Sequence, residues 1–333
     1  MSAPKWFLIS AVSLFSIIGI AAVVKKSSKQ SAPVEAPLQA APDVPVIPLP
    51  VQTKPVAAPI SPRNLSTPQA LKEDLPNIDR IFQLFSTSST KLPIVETVQY
   101  SSSVPWLKGR PAWISDYAIH YNTSRHFIAR SLNNKPDYFS QKVSEGSKFN
   151  VFRKDKKIHF YLLVDVSRSK MAFYYVDMDT HERVLLKTYS VGLGRIDESK
   201  PSGTATPLGR YSLGSRVAIY QPGMMGFYHD QSVEMIRVFG TRWIPFDQAV
   251  ERTSAPAKGY GLQGAPWVAD SSGKLVENRN VIGSYESDGC IRLSSEDMEE
   301  LFSIVLTKPA FIEIVKDFHE AKLPGVEVAA PSR

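Results

Sequence analysis

The chain has a single cysteine in 333 residues, Cys290, and that scarcity excludes a good deal. One thiol can neither close an internal disulfide nor build a cysteine zinc site. Also missing are a glycine-rich phosphate loop, a dinucleotide fingerprint and any His/Cys/Asp/Glu cluster at metal-ligand spacing. No cofactor and no metal are expected. Charge of one sign is not concentrated either: the formal net charge is +7, but the basic residues are spread out. The densest run, Arg153-Lys154-Asp155-Lys156-Lys157, contains an acid and precedes an apolar segment. It reads as a solvated loop rather than a nucleic-acid patch, so no nucleic-acid partner is expected.

Proline, by contrast, is plentiful and localised. Ten of the 25 prolines fall between Pro33 and Pro68, in a stretch poor in aromatics and rich in Ala and Val. Such a composition cannot bury a core, and residues 25–75 are read as a semi-extended tether. In polyproline II form it reaches on the order of 100 Å. Ahead of it, after a five-residue tail, Trp6 to Val24 carries no charge and is long enough to approach the thickness of a bilayer core. It is longer than the apolar core of a cleavable signal and ends in Ala-Val-Val-Lys-Lys, so residues 6–24 are read as an uncleaved transmembrane anchor. Lys25, Lys26 and Lys29 after the span lean against export of the C-terminus by the positive-inside rule.

Residues 70–100 suggest a short helix, with Ile78, Ile81, Phe82 and Phe85 at helical spacing. Residues 105–152 read as a compact mixed unit. Asn122-Thr123-Ser124 offers a helix cap ahead of Phe127, Ile128 and Leu132, and Val143, Gly146, Phe149 and Val151 suggest a turn and strand. The pattern Trp113…Tyr121-Asn-Thr-Ser…Phe127-Ile…Ser131-Leu-Asn133…Val143-Ser-Glu-Gly146…Asn150-Val151 resembles the LysM family, small glycan-binding α+β modules. A lead-in domain that binds nothing fits the same residues.

From Ile158 the pattern turns to strands. Phe160–Asp165, Met171–Val176, the Val184 to Val191 segment, Arg210-Tyr-Ser-Leu and Val238-Phe…Trp243-Ile244 are short apolar or alternating runs. Ser294-Ser-Glu-Asp297 is a capping-box start for a helix bearing Met298, Leu301, Phe302 and Val305 on one face. A last strand covers Ala310–Val315, and 317–333 is read as a tail. The fold expected is mainly β with α (α+β).

Cys290 lies in Ser287-Asp288-Gly289-Cys290-Ile291-Arg292-Leu293. Gly289 permits a tight turn before the thiol. Backbone N–H groups at such a turn, a capped helix just downstream and the nearby Arg292 favour a thiolate and an acyl oxyanion. On these residues alone, a buried, inert cysteine is as good a reading. The motif resembles the signature of YkuD-type L,D-transpeptidases. Val164-Asp-Val-Ser…Met171-Ala-Phe-Tyr, Tyr189-Ser-Val-Gly-Leu-Gly194, Ala205-Thr-Pro-Leu-Gly-Arg-Tyr211 and Gly259-Tyr-Gly-Leu-Gln-Gly-Ala-Pro266 follow in that family's order. The resemblance implies a YkuD-like β-sandwich domain over residues 157–316. It also implies a peptidoglycan enzyme of the cell envelope, anchored in the inner membrane with its C-terminal domains in the periplasm and acting in cell-wall biogenesis and cell shape. In such an enzyme Cys290 forms a thioester with a stem peptide, and an amine resolves it. Water as acceptor gives an L,D-carboxypeptidase.

Two positions depart from the family. Gln263 stands where the family has its catalytic histidine, and an amide cannot take the thiol's proton. Asp288 stands where many members carry histidine, and a carboxylate there raises the thiol pKa. Among the six histidines, His229 in Gly226-Phe-Tyr-His-Asp-Gln231 is the best substitute base, and a plain surface-loop histidine is the competing reading. The site expected is Cys290, Gln263 and His229 for catalysis, with Ser287, Asp288, Gly289 and Arg292 for the oxyanion and substrate. A degenerate, non-catalytic peptidoglycan-binding or scaffolding module is the rival to the enzyme.

Overall fold

The computed structural model describes residues 74–88, 90–133 and 142–328. The anchor expected at 6–24 lies outside them, as does nearly all of the tether. Among the described residues no helix is long and apolar enough to cross a membrane.

The lead-in half holds α1 (Phe82–Phe85), β1 (Val95–Gln99), α2 (Ile114–His120), α3 (Arg125–Asn133) and β2 (Lys148–Phe152). β1 and β2 pair antiparallel from Val95↔Phe152 to Gln99↔Lys148, which closes a β-α-α-β unit. β1 lies upstream of the module expected at 105–152. Its five residues, VETVQ, become more exposed along the strand and leave little apolar alternation to read. Ser124 starts α3 as expected, its Oγ accepting the His126 N–H at 3.1 Å. β2 divides its side chains by alternation. Phe149 and Val151 join Ala112, Tyr117 and Ile128 in the unit's own small core. Phe152 points the other way and, with Phe127 of α3, enters the main core of the chain beside Phe160 and Phe302.

The second half begins with three antiparallel strands, β3 (Ile158–Asp165), β4 (Lys170–Asp177) and β5 (Glu182–Ser190). β3 is apolar on both faces: Phe160, Leu162 and Val164 line the main core, and Tyr161 and Leu163 line a second cluster. β6 (Leu193–Gly194), β7 (Gly209–Leu213) and β8 (Ala218–Ile219) follow, then a hairpin of β9 (Met225–Tyr228) and β10 (Gln231–Glu234). After the short α4 (Ile236–Phe239) come β11 (Arg242–Glu251), β12 (Gly261–Gly264), β13 (Trp267–Ala269), β14 (Leu275–Glu277), β15 (Tyr285–Ser287) and β16 (Ile291–Leu293). The chain closes with α5 (Ser295–Val305), β17 (Ala310–Val315) and β18 (Val326–Glu327).

Among the described residues, ten of these strands form one sheet in the order β16-β12-β11-β7-β17-β3-β4-β5-β18, with β8 on β11. The sandwich expected from sequence is therefore two halves of one curled sheet. β11 joins them: Trp243 to Pro245 pair with β12, while Phe246 to Glu251 pair with β7 through two register shifts. Bulges of this kind bend a strand and let a sheet fold over its own core. Two further readings change. Val238-Phe239 lies in α4 rather than a strand, because a short apolar run carries no period of its own and Gly240, at φ +63°, ends the turn of helix. In the segment read as a tail, β18 adds to β5 at Glu182 and Arg183.

Buried polar contacts brace the lead-in half internally and also tie it to the sheet half. Asn150, fully buried on β2, donates through Nδ2 to the carbonyls of Leu84 at 2.8 Å and Ser86 at 2.7 Å, and accepts the Thr97 hydroxyl at 2.8 Å. Glu300 of α5 accepts from Lys187 at 2.7 Å and from the Tyr189 hydroxyl at 3.1 Å, with Arg130 of α3 at 3.9 Å.

Candidate active site

Cys290 occupies the junction between β15 and β16, at the rim of the curled sheet. Parallel pairing of β16 with β12 sets Gln263 opposite Arg292 and Leu262 opposite Ile291. Gly192 and Arg292 exchange backbone hydrogen bonds of 2.8 Å in both directions. The turn between the strands depends on Gly289. Its φ is +120°, and a Cβ there would sit 2.6 Å from the Tyr260 ring and 2.7 Å from the Ala205 carbonyl. Ser287 braces this turn from within: its Oγ donates to the Cys290 carbonyl at 2.6 Å and accepts the Gly289 N–H at 3.0 Å. The hydroxyl expected to face substrate is thus committed to shaping the loop.

The Cys290 residue keeps partial exposure, and its Sγ points to the Gly259 carbonyl at 3.7 Å. Loss of solvent around the sulfur pushes the thiol pKa up to about 12, and Asp288 adds to the rise. The Gly261 backbone N–H and the Arg292 charge act in the opposite direction without cancelling it. The thiol therefore rests protonated at neutral pH. Two donors of the first turn of helix α5 are committed elsewhere: Glu277 accepts the Ser295 N–H, and Ser294 caps the Asp297 N–H at 3.1 Å.

The residues expected around the thiol divide clearly. Gln263 is buried on β12, and its Nε2 donates to the Val238 carbonyl at 3.0 Å, which ties it to α4. His229 and Asp230 form the turn of the β9–β10 hairpin, with φ of +49° and +60°. Such left-handed central residues match the twist of a two-residue hairpin loop. His229 is exposed, packs with its ring tilted 38° against Tyr228 at 4.1 Å and makes no hydrogen bond to Cys290. Asp288 pairs with Arg195, and both side chains are more than half exposed. Arg292 is the opposite case. It lies within electrostatic reach of Cys290, has no ion-pair partner among the described residues, and its buried Nε has no hydrogen-bond acceptor.

Three contributors escaped sequence reasoning. Tyr228, on the hairpin strand that leads to His229, lies within electrostatic reach of Asp288, Cys290 and Arg292, and burial raises its own pKa. Tyr260 is packed beneath Gly289 and close to the sulfur. Arg195 neutralises Asp288 across 93 residues of sequence. Only Tyr260 left a trace, as the one large residue between Gly259 and Gly261. The arrangement supplies a desolvated thiol on a partly exposed residue, a backbone carbonyl that accepts its S–H, and a guanidinium without a carboxylate among the described residues that can meet a carboxylate or oxyanion.

Comparison with known proteins gives the family of this half. No curated protein matches the chain. Among solved structures the chain is similar to Bd1075 of Bdellovibrio bacteriovorus, at 14% identity over 47% of this chain and 48% of that one, with a TM-score of 0.32. It is also similar to the helical cell shape determining protein Pgp2 of Campylobacter jejuni, at 15% identity over 51% of each chain and a TM-score of 0.33. A third similar structure is an L,D-transpeptidase of Xylanimonas cellulosilytica, at 10% identity over 74% of this chain and 100% of that chain, with a TM-score of 0.26. The match spans about half the length of the first two structures. Residues 159–314 match the family model of YkuD, the L,D-transpeptidase catalytic domain, and this half of the chain is a domain of that family.

Proposed function

We propose that this protein is an L,D-transpeptidase-type acyltransferase of peptidoglycan, with Cys290 as its nucleophile. The observation that carries the reading is the nearness of the Cys290 sulfur, on a partly exposed residue, to an Arg292 guanidinium that no described carboxylate neutralises. The stem-peptide carbonyl is attacked by the sulfur as the thiol gives up its proton. The peptide C–N bond then breaks, and the terminal residue leaves with a protonated amine. The thioester is resolved by an amine of a second stem, which forms a new amide and returns a proton to sulfur. Arg292 holds the anionic end of the donor or the developing oxyanion. Water in place of the amine makes the same site an L,D-carboxypeptidase.

With Gln263 bound to Val238 and no imidazole against the sulfur, acylation is slow: lack of a general base costs about 10²–10⁴-fold. The same observation favours a second reading, a binding or scaffolding domain that retains the cleft and has lost turnover. In both, residues 6–24 anchor the chain in the inner membrane, the tether projects it into the periplasm, and the β-α-α-β unit grips glycan as a LysM-like module. Incubation of the full chain with a carbapenem or a stem tetrapeptide, followed by intact mass, separates the two. A covalent adduct absent from Cys290→Ser supports acyl transfer. A mass that stays unmodified on prolonged incubation leaves only the binding reading.

A further inference from the structure

Lys154, Lys156 and Lys157 of the basic run, unused by the thiol site, line one side of a groove of about 470 Å³. His120, Tyr121 and Asn122 of the lead-in unit line it together with Lys154, and His159, Met178, Lys308 and Pro309 of the sheet half line the rest. The groove is open to solvent, and its volume falls in the range of small-ligand sites.

The charges around it do not balance. Lys156 is held by Asp177 at 2.7 Å and Lys157 by Asp179 at 3.6 Å. Lys154 has no carboxylate partner among the described residues: its Nζ lies 3.4 Å from His120 Nε2 and 5.9 Å from the Tyr121 ring centre. Lys308 is half-buried over the Phe152 ring at 5.6 Å, again with no carboxylate among the described residues. Burial lowers its pKa, as it lowers those of His159 and His120, and Lys154 lowers His120 further. His159 Nδ1 is buried with no hydrogen-bond partner. A half-buried ammonium without a carboxylate costs free energy that a bound anion would offset. Tyr121, Met178 and Pro309 add an apolar wall suited to the face of a sugar ring.

We propose that this groove is a second ligand site, separate from Cys290, for a saccharide carrying a phosphate or carboxylate. Lys154 and Lys308 clamp the anionic group, and Tyr121 packs on the ring. The site would give the lead-in half a charged-sugar contact shared with the sheet half.

The test is titration of the full chain with N-acetylglucosamine 6-phosphate, N-acetylmuramic acid and neutral N-acetylglucosamine, read by the imidazole NMR signals of His120 and His159. Saturable shifts are expected with at least one of the charged sugars, and which of them binds distinguishes phosphate from carboxylate. Lys154→Ala and Lys308→Ala should each weaken that binding roughly tenfold. Lys274→Ala, in the turn between β13 and β14, removes one positive charge elsewhere and should leave it unchanged. Absence of a saturable shift with either charged sugar overturns the proposal. So does equal binding of the neutral sugar, or unchanged affinity in the Lys154→Ala/Lys308→Ala double variant.

Discussion

At the scale of single residues, reactivity is decided by who holds the thiol proton. Cys290 faces a backbone carbonyl instead of an imidazole, and its pKa is pushed up to about 12 mainly by loss of solvent. Its alkylation by iodoacetamide should therefore rise about tenfold per pH unit from 7 to 11, with no plateau near the ordinary thiol value of about 8.5. A plateau near that value would show a solvated thiol. The sign for stability follows from the same shift: below about 8.5 both folded and unfolded thiols keep their protons. Above it the unfolded chain releases its proton first, so this contribution to stability is lost as pH rises toward the folded value. Gln263→His should raise the neutral-pH alkylation rate by about 10²–10⁴-fold if the ring turns one nitrogen to the sulfur. That Cys290, Gly289 and Arg292 lie together was legible in sequence because they share one contiguous motif. Gln263 was legible as a departure, but its hold on Val238 was not, since the partner sits on a helix that reads as a strand. His229 was chosen by residue type, and a turn geometry that no spacing encodes places it at the hairpin tip.

At the scale of elements, strands β3, β4 and β5 and helix α5 could be read almost directly. Each has a sustained apolar pattern with a turn or cap at its end. β1 could not, because its meaning lies in a partner about 50 residues further on. That pairing relies on Asn150, which ties β2 to β1 and α1 through three side-chain hydrogen bonds inside the protein. Asn150→Ala leaves the Leu84 and Ser86 carbonyls without a donor and should cost about 1–3 kcal/mol. Urea unfolding monitored by far-UV circular dichroism measures it. A midpoint equal to that of the parent would mean that water replaces the amide at no cost.

At the scale of the whole molecule, the boundary drawn near residue 157 from sequence is crossed by one continuous core. Phe127 and Phe152 pack with Phe160, while Arg130 reaches Glu300 at 3.9 Å. Shared apolar burial of this kind couples unfolding. Trp106 and Trp243 lie in the two halves, and thermal unfolding of single-tryptophan variants reporting on each should give coincident transitions. Two separated midpoints would show that the halves melt independently. No local pattern announces such a junction, because it is made of residues that each look like ordinary core for their own half.

The shared core also has a mechanical consequence. A module on a loose linker samples a cloud of positions, whereas one fused through Phe127, Phe152 and the Arg130–Glu300 contact keeps a fixed bearing toward Cys290. Under the proposed function the β-α-α-β unit and the sheet would act as the two jaws of a caliper: a glycan strand held by one would be presented to the other at a set spacing, and the frame would select which repeat meets the sulfur.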